Sequence, residues 1–308
     1  MIKGEKVRLD VHNILYSIYK FNRTLNNPKI LKIIDKSKSE DIPFINNVTL
    51  NSMRLQFHTL KIIQKYVKKK LRINEKILLI SAITQIVFLG FKDYAVINCT
   101  VEIAKKLKIY HGLINSVLKR ISVDKSMLKK TKIKFDDLPN WFVKKTTYFT
   151  KFEQNKFINN FHLEPDIHVV FKNTKKLNNF EKKIIKTSDV SGFLEDKNNI
   201  KNIKSFVDGD WWVQDFSSFF PLNNLNIQNK HKSFLDACAA PGGKAFQILS
   251  TSNKILLNDK NLFRINTLKK NLKRLKFNSK IVNKDFTKFI TAEKFDFIVL
   301  DAPCTAVG

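Results

Sequence analysis

Ser233-Phe-Leu-Asp-Ala-Cys-Ala-Ala-Pro-Gly-Gly-Lys244 is the stretch on which the reading of this 308-residue chain turns. It opens as a short apolar strand, Ser233 to Asp236, ends that strand in an acid, and passes through Ala-Ala-Pro-Gly-Gly-Lys into a helical stretch. Ile255-Leu256-Leu257-Asn258-Asp259 repeats the pattern and is followed by the strongly helical Leu262–Leu275. Lys280-Ile281-Val282 is a third strand leading to Asp285, and Phe295-Asp296-Phe297-Ile298-Val299-Leu300-Asp301 is a fourth. Strands that alternate with helices, each closing on a polar residue, predict a parallel, doubly wound α/β sheet. In such sheets ligands bind beyond the carboxyl ends of the strands, where Asp236, Asp259, Asp285 and Asp301 all fall.

The loop from Cys238 to Lys244 joins a strand to a helix, and Gly242 and Gly243 let backbone approach a ligand closely. It is not a P-loop: Ala245 follows Lys244, and Cys238 stands where the first P-loop glycine would be. The G-x-G-x-x-G fingerprint of dinucleotide binding is also missing, so a nicotinamide-dependent oxidoreductase is disfavoured. Asp259, 23 residues after Asp236, stands where an acid accepts hydrogen bonds from ribose hydroxyls. Asp285 could accept from the exocyclic amine of an adenine. A nucleoside with no phosphate to cradle suits S-adenosylmethionine better than NAD.

Upstream the pattern changes. Residues 136–205 mix Pro139, Pro165 and Asn/Lys-rich stretches with short strand-like runs such as Ile167–Phe171, and read as a connector or small α/β subdomain. His168 in that alternating run is expected to be a half-exposed strand residue rather than a ligand. Residues 1–135 read as helical. Asn74 can cap a helix that carries Glu75 in its first turn and ends at Gly90, with Ile77, Ile80, Ile83/Thr84 and Val87 making it apolar nearly all round, as in the middle of a bundle. Val96, Cys99/Thr100, Ile103 and Leu107 form the inner face of a second helix, and Ile114, Val117/Leu118 and Ile121 that of a third; Cys99 is thereby read as a small core residue.

The chain carries 56 Lys+Arg against 27 Asp+Glu, a formal net charge of +29, which points to a polyanion, with nucleic acid ahead of an anionic membrane. Of the cations 49 are Lys, however, and an AT-rich genome writes a Lys/Asn/Ile/Phe excess whatever the protein does. The distribution is more informative, with +19 on residues 1–135 and +10 on the remainder, and it supports a basic front domain that docks on RNA. Its densest cluster, Lys68-Lys69-Lys70-Leu71-Arg72, reads equally as a phosphate contact or a solvated helix end. Cys99, Cys238 and Cys304 are odd in number and widely spaced, which fits neither a disulfide framework nor paired zinc ligands. With no readable signal peptide and no run long enough to span a bilayer, a cytoplasmic protein that holds no metal and engages no membrane is expected, as a monomer.

Asp236-Ala-Cys-Ala-Ala-Pro-Gly-Gly-Lys244 and Asp301-Ala-Pro-Cys304-Thr-Ala-Val-Gly308 resemble motifs I and IV of the RsmB/Sun-type 16S rRNA (cytosine-5) methyltransferases. Asn258-Asp259 with Arg264 and Asn271–Leu275 is similar to the motif II region, and Trp212–Ser218 to the segment before motif I. The helices around Asn98–Lys106 and Leu113–Arg120 resemble the NusB-like RNA-binding domain. The resemblance implies an all-α NusB-like domain over 1–135, the connector over 136–205, and a Rossmann-like class I methyltransferase domain over 206–308, incomplete at its C-terminal end. It further implies small-subunit rRNA as partner and S-adenosylmethionine as methyl donor. Cys238, Ala239, Ala240, Pro241, Gly242, Gly243 and Lys244 would hold its methionine and ribose part, with Arg264 alongside in the motif II region. Asp259 would take the ribose, Asp285 the adenine side, and Asp301 the region near the methyl.

In the reaction that the resemblance implies, a thiolate adds to carbon 6 of cytosine, carbon 5 takes the methyl group, and a base removes the carbon 5 proton before the thiolate leaves. Asp301 would polarise the cytosine edge, while Pro303 and Cys304 line the pocket for a base swung out of its stack. Family members place the nucleophile in a Thr-Cys-Ser segment after motif IV, and the motif IV cysteine, here Cys304, assists product release. This chain ends at Gly308 without Thr-Cys-Ser, so a fragment or a truncated, inactive form is expected; the alternative is a non-catalytic RNA-binding protein with a vestigial cofactor site. A smaller departure is Val170-Phe171-Lys172, where the family usually writes Arg-Val-Asn.

Overall fold

The computed structural model describes residues 4–196, 200–225, 232–251 and 254–302, which fall into two units, Met1–Leu163 and Glu164–Gly308. In the first unit the described residues form helices α1 (Glu5–Phe21), α2 (Pro28–Asp35), α3 (Ile42–Arg54), α4 (Gln56–Tyr66), α5 (Ile73–Ile83), α6 (Asp93–Lys106), α7 (His111–Leu128), α8 (Asn140–Lys145) and α9 (Lys151–Asn160). Helix α5 is the centre: every residue from Ile77 to Ile83 is buried, and a π-helical turn, Thr84–Phe88, carries it on to Gly90. Gly90 sits at φ 68°, the left-handed conformation that ends a helix at little cost when no Cβ is present. The helix begins two residues earlier than Asn74 as a cap suggests, with Arg72 at the N-cap position. Glu75 reaches back so that Oε2 accepts from the Arg72 amide at 2.7 Å, while Asn74 hydrogen-bonds His12. The apolar stripes of α6 and α7 face inward as their spacing predicts, with Val96, Cys99, Ile103, Ile114, Leu118 and Ile121 each at most 1% exposed.

The stretch 136–163 closes the same unit. Phe135, Phe142, Phe149 and Phe157 gather into one ring cluster, with centroids 5.1–6.4 Å apart, so α8 and α9 wrap around it. The Lys68–Arg72 cluster lies on the exposed connection between α4 and α5 rather than on a helix end, because Val67 is already extended (φ −126°). Lys69 there stands 4.0 Å from Glu75.

Among the described residues the second unit holds two four-stranded sheets. The first, antiparallel, has the order β2-β3-β1-β4, built from β1 (His168–Phe171), β2 (Ile184–Ser188), β3 (Ser191–Leu194) and β4 (Trp211–Val213). The short helices α10 (Thr174–Asn178) and α11 (Lys204–Val207) lie in its connections, and α12 (Phe216–Asn224) leads away from it. Strand β1 is interior and buried at all four positions: Val169 and Phe171 join one apolar cluster, Val170 another. His168 is therefore not half-exposed. It is 2% exposed, with Nδ1 2.8 Å from the Gln214 carbonyl and Nε2 2.9 Å from the Thr187 hydroxyl, because both faces of the sheet are covered.

The second sheet is all parallel, order β7-β6-β5-β8, from β5 (Ser233–Asp236), β6 (Lys254–Asn258), β7 (Lys280–Val282) and β8 (Phe297–Val299), with helices α13 (Gly243–Ser250) and α14 (Leu262–Arg274) in the first two crossovers. The chain leaves β5 toward β6 on one side and later returns on its other side as β8, so a switch in strand order falls at β5. Such a switch opens a crevice at the carboxyl ends of the strands.

Two histidines of the first unit are held neutral by burial. It pushes His12 down to about 4, an effect that Asn74 partly offsets, and brings His58 to about 4 with help from the neighbouring His162 and Lys61, against Asp137. An unfolded histidine titrates near 6.5, so between pH 6.5 and about 4 the unfolded chain binds the extra protons. Acidification through that window should lower the denaturant midpoint of the helical unit. Replacing both residues in a His12→Phe/His58→Phe variant should flatten the slope, as followed by far-UV circular dichroism.

Candidate functional site

At the carboxyl end of β5 a cavity of about 240 Å³ opens, lined by Cys238, Ala239, Ala240, Pro241, Gly243, Lys244, Arg264, Asp236 and Asp301 together with Gln214, Asp215 and Ser218. The loop that forms its floor is tied down from β6. The Ala240 amide donates to Asp259 Oδ2 at 3.2 Å, and the Ala239 amide to the Asn258 carbonyl at 2.8 Å. Asn258, fully buried, donates through Nδ2 to the carbonyls of Ala237 (3.0 Å) and Lys284 (3.1 Å). From α14, Arg264 donates to the Ala240 carbonyl and Asn271 to the Pro241 carbonyl at 3.1 Å. A loop of seven residues is thus held by side chains of the next strand and helix.

Glycine is required at one position of the turn. Gly242 has φ 122°, and a Cβ there would stand 2.0 Å from the Phe246 ring, which is itself buried and packed edge-on against Trp212 at 5.7 Å. At Gly243 a Cβ would meet only the Gln214 side chain, at 3.1 Å. Gln214 is fixed in turn: Trp212 Nε1 donates to its Oε1 (2.9 Å), its Nε2 donates to Gln247 Oε1 (2.7 Å), and Gln247 donates to the Phe219 carbonyl (3.1 Å). This amide chain links the antiparallel sheet to α13 and fixes Gln214, which lines the cleft. Trp212 and Gln214 fall in the Trp212–Ser218 stretch that resembles the segment before motif I, but no motif points to Gln247 as their partner.

The four strand-end acids differ in environment. Asp236 is 2% exposed and accepts from the Cys238 amide at 3.2 Å. Burial pushes its carboxyl up to about 7, reinforced by Asp301 and Asp259 and opposed by that amide and by Lys244. The same burial, with the Asp259 and Asp236 carboxylates nearby, raises the Cys238 thiol, so this cysteine stays protonated. Asp259 is buried, its Oδ1 taken by the Asn261 amide at 2.8 Å and its Oδ2 by the loop, with Arg264 3.6 Å away. Asp301 is exposed at the mouth, where Lys244 Nζ reaches its Oδ2 at 2.5 Å.

Asp285 stands apart, for it is exposed and does not line the cavity. Its Oδ1 accepts from the Thr287 hydroxyl (2.8 Å) and amide (3.1 Å), which holds the carboxyl below the usual range. The structure therefore brings together the loop residues, Arg264, Asp236 and Asp301, places Asp259 beneath them as a tie, and leaves Asp285 at the rim beyond β7. Pro303 and Cys304 lie outside the described residues. Among the described residues no cluster of three or more His, Cys, Asp or Glu could hold a metal ion, and no helix is long and apolar enough to cross a membrane.

Two substitutions test this geometry. Gly242→Ala should destabilise the second unit by roughly 1–3 kcal/mol in denaturant unfolding, the range for a strained backbone, whereas Gly243→Ala should cost less. Asp236 carries a folded value of about 7 against 3.8 when unfolded, so stability is lost as pH rises from 3.8 to about 7, where the unfolded carboxyl ionises while the folded one stays protonated. Asp236→Asn keeps an acceptor for the Cys238 amide and should raise the unfolding midpoint at pH 8 while leaving it unchanged at pH 4.

Two family models match separate parts of the chain. Residues 5–123 match the NusB family and residues 222–308 match a family described as 16S rRNA methyltransferase RsmB/F. A probable ribosomal RNA small subunit methyltransferase B of Coxiella burnetii is 26% identical over 294 residues, covering 86% of this chain and 68% of the relative. The ribosomal RNA small subunit methyltransferase B of Shewanella oneidensis is 26% identical over 277 residues, covering 83% of this chain and 63% of its own length. This chain thus spans about two thirds of the curated relatives it matches. The human 28S rRNA (cytosine(4447)-C(5))-methyltransferase is 34% identical over 110 residues, 33% of this chain and 13% of that protein. The crystal structure of PH0851 shares the fold, with a TM-score of 0.64 and 18% identity over 99% of this chain and 75% of its own. With a NusB-family segment leading into a segment that matches the 16S rRNA methyltransferase RsmB/F family, the chain is similar along most of its length to ribosomal RNA small subunit methyltransferases B.

Proposed function

We propose that the protein methylates carbon 5 of a cytosine in small-subunit rRNA, with S-adenosylmethionine held in the cleft at the carboxyl end of β5. The observation that carries the reading is the cleft itself. It combines a backbone floor, an exposed carboxylate at the mouth, and no phosphate-cradling loop, as a phosphate-free nucleoside with a cationic sulfur centre requires. When bound, that cofactor supplies an electrophilic methyl group. The residues Cys238 to Gly243 present main chain rather than charge to it, and burial keeps the Cys238 thiol from competing as a nucleophile. Asp259 orients the floor from beneath, with Arg264 bracing the same loop, and is assigned to the ribose side.

Asp301 is the group assigned to the reacting end. Its carboxylate is exposed, and its partner Lys244 can be exchanged for a ligand, so it is placed to accept from the cytosine edge and hold the ring against the methyl donor. Asp285 at the rim is assigned to the adenine side, where Oδ2 accepts no hydrogen bond among the described residues. Cys304, two residues beyond the last described position, is assigned to adduct breakdown, in which a base takes the carbon 5 proton and the carbon 6–sulfur bond breaks, returning the thiolate of the Thr-Cys-Ser segment that family members carry after motif IV. The basic helical unit, with residues 1–135 at +19, supplies sequence-independent attraction to the RNA backbone.

The decisive experiment is transfer of a labelled methyl group from S-adenosylmethionine to unmethylated small-subunit rRNA, with the product nucleoside identified after digestion. 5-Methylcytidine is the expected product; RNA binding without transfer would instead favour a non-catalytic RNA-binding protein. Calorimetry separates the cofactor assignments. Asp259→Ala should weaken S-adenosylmethionine binding by roughly tenfold or more, the cost of a lost hydrogen bond to a charged group, and an unchanged affinity removes Asp259 from the site.

A further inference from the structure

We propose that α8 and the start of α9 form a stacking platform for a single-stranded segment of the RNA substrate; the proposal rests on the RNA-directed reading above. Trp141, Tyr148 and Phe152 are 57%, 75% and 76% exposed, within a stretch whose inward rings, Phe142, Phe149 and Phe157, share one cluster. Trp141 and Tyr148 each meet their inward neighbour edge-on, at 5.7 and 5.1 Å, so the buried cluster supports the outward rings. Helical spacing sets Lys144 and Lys145 beside Trp141, and Lys156 beside Phe152, on the solvent side. The one acid between Pro139 and Asn160, Glu153, is spent on the cap of α9, accepting from the Thr150 amide and hydroxyl, both at 2.8 Å.

Three exposed rings among uncompensated lysines have the composition of a surface that stacks bases and tracks phosphates, and it is sequence-tolerant because every base has a π-face. The occupant is single-stranded, since an A-form duplex keeps its base faces stacked out of reach. A purely electrostatic dock would need the lysines and not the rings. A second protein chain would find four lysines here with no free carboxylate among the residues from Pro139 to Asn160.

The chain contains its own reporter. Of its three tryptophans, Trp211 and Trp212 are 0% and 2% exposed, so quenching by an added ligand reads Trp141. Titration of the full chain with a short single-stranded oligoribonucleotide should quench tryptophan emission, and the same sequence as a duplex should not. Tyr148→Ala and Phe152→Ala should each weaken single-strand binding roughly fivefold or more, with Trp141 still reporting. Lys144→Gln/Lys145→Gln should flatten the dependence of log affinity on log salt by about 1.4, at about 0.7 per phosphate contact. Single-strand binding with Trp141 unquenched, or equal quenching by the duplex, overturns the platform while leaving the RNA-directed function standing and the rings free for a protein partner. Failure of the unmodified chain to bind either rRNA or the oligonucleotide overturns both.

Discussion

The second unit depends on the end of β6. Two adjacent residues there, Asn258 and Asp259, bind the backbone of the neighbouring strand-to-helix loop at Ala237, Ala239 and Ala240, and Asn258 also holds Lys284 beyond β7. Three strand ends are thereby fixed relative to one another by two short polar side chains, both buried. Burial strengthens these bonds and makes each of them expensive to leave unmade. This knot fixes the loop that forms the floor of the cleft. Arg264 and Asn271 brace the same loop from α14, so strand and helix both contribute to the one surface on which a ligand can rest.

Much of this could be read from residue order. The four short strands and the helix after β6 fall where the residue pattern indicates, although β7 and β8 end at Val282 and Val299, short of the acids that follow them. The three inward stripes of the helical unit are buried as spaced. What escaped was set by context. The alternating run at β1 suggested one wet face, but an interior strand in a sheet covered on both sides has none, so His168 is buried and hydrogen-bonded at both nitrogens. Asn74 looked like a cap, yet a glutamate one position later could reach back to Arg72, and the helix began there. The aromatic cluster of Phe135, Phe142, Phe149 and Phe157 has no simple period because its members come from a turn, two helices and the link between them.

At the site, residue types and spacing identified the loop and the acids but not their division of labour. Position at a strand end does not reveal whether a carboxylate faces the cavity or the backbone. Asp236, Asp259, Asp285 and Asp301 are equivalent on paper, and in the folded unit they are a nearly neutral acid, a structural tie, a rim group capping its own turn, and an exposed base paired with lysine. The difference comes from burial and from which amides happen to point at each oxygen. Neither is written in local sequence.

The amide chain through Trp212, Gln214, Gln247 and the Phe219 carbonyl has an evolutionary corollary. Each glutamine is both donor and acceptor in a buried sequence of hydrogen bonds that runs in one direction. Changing one alone strands a donor or an acceptor on the other, whereas changing both to another complementary polar pair keeps the Trp212 Nε1 donor and the Phe219 carbonyl satisfied. The two positions, 33 apart in the chain, should therefore vary together among relatives, and that covariation would mark the cleft wall as a joint property of both sheets.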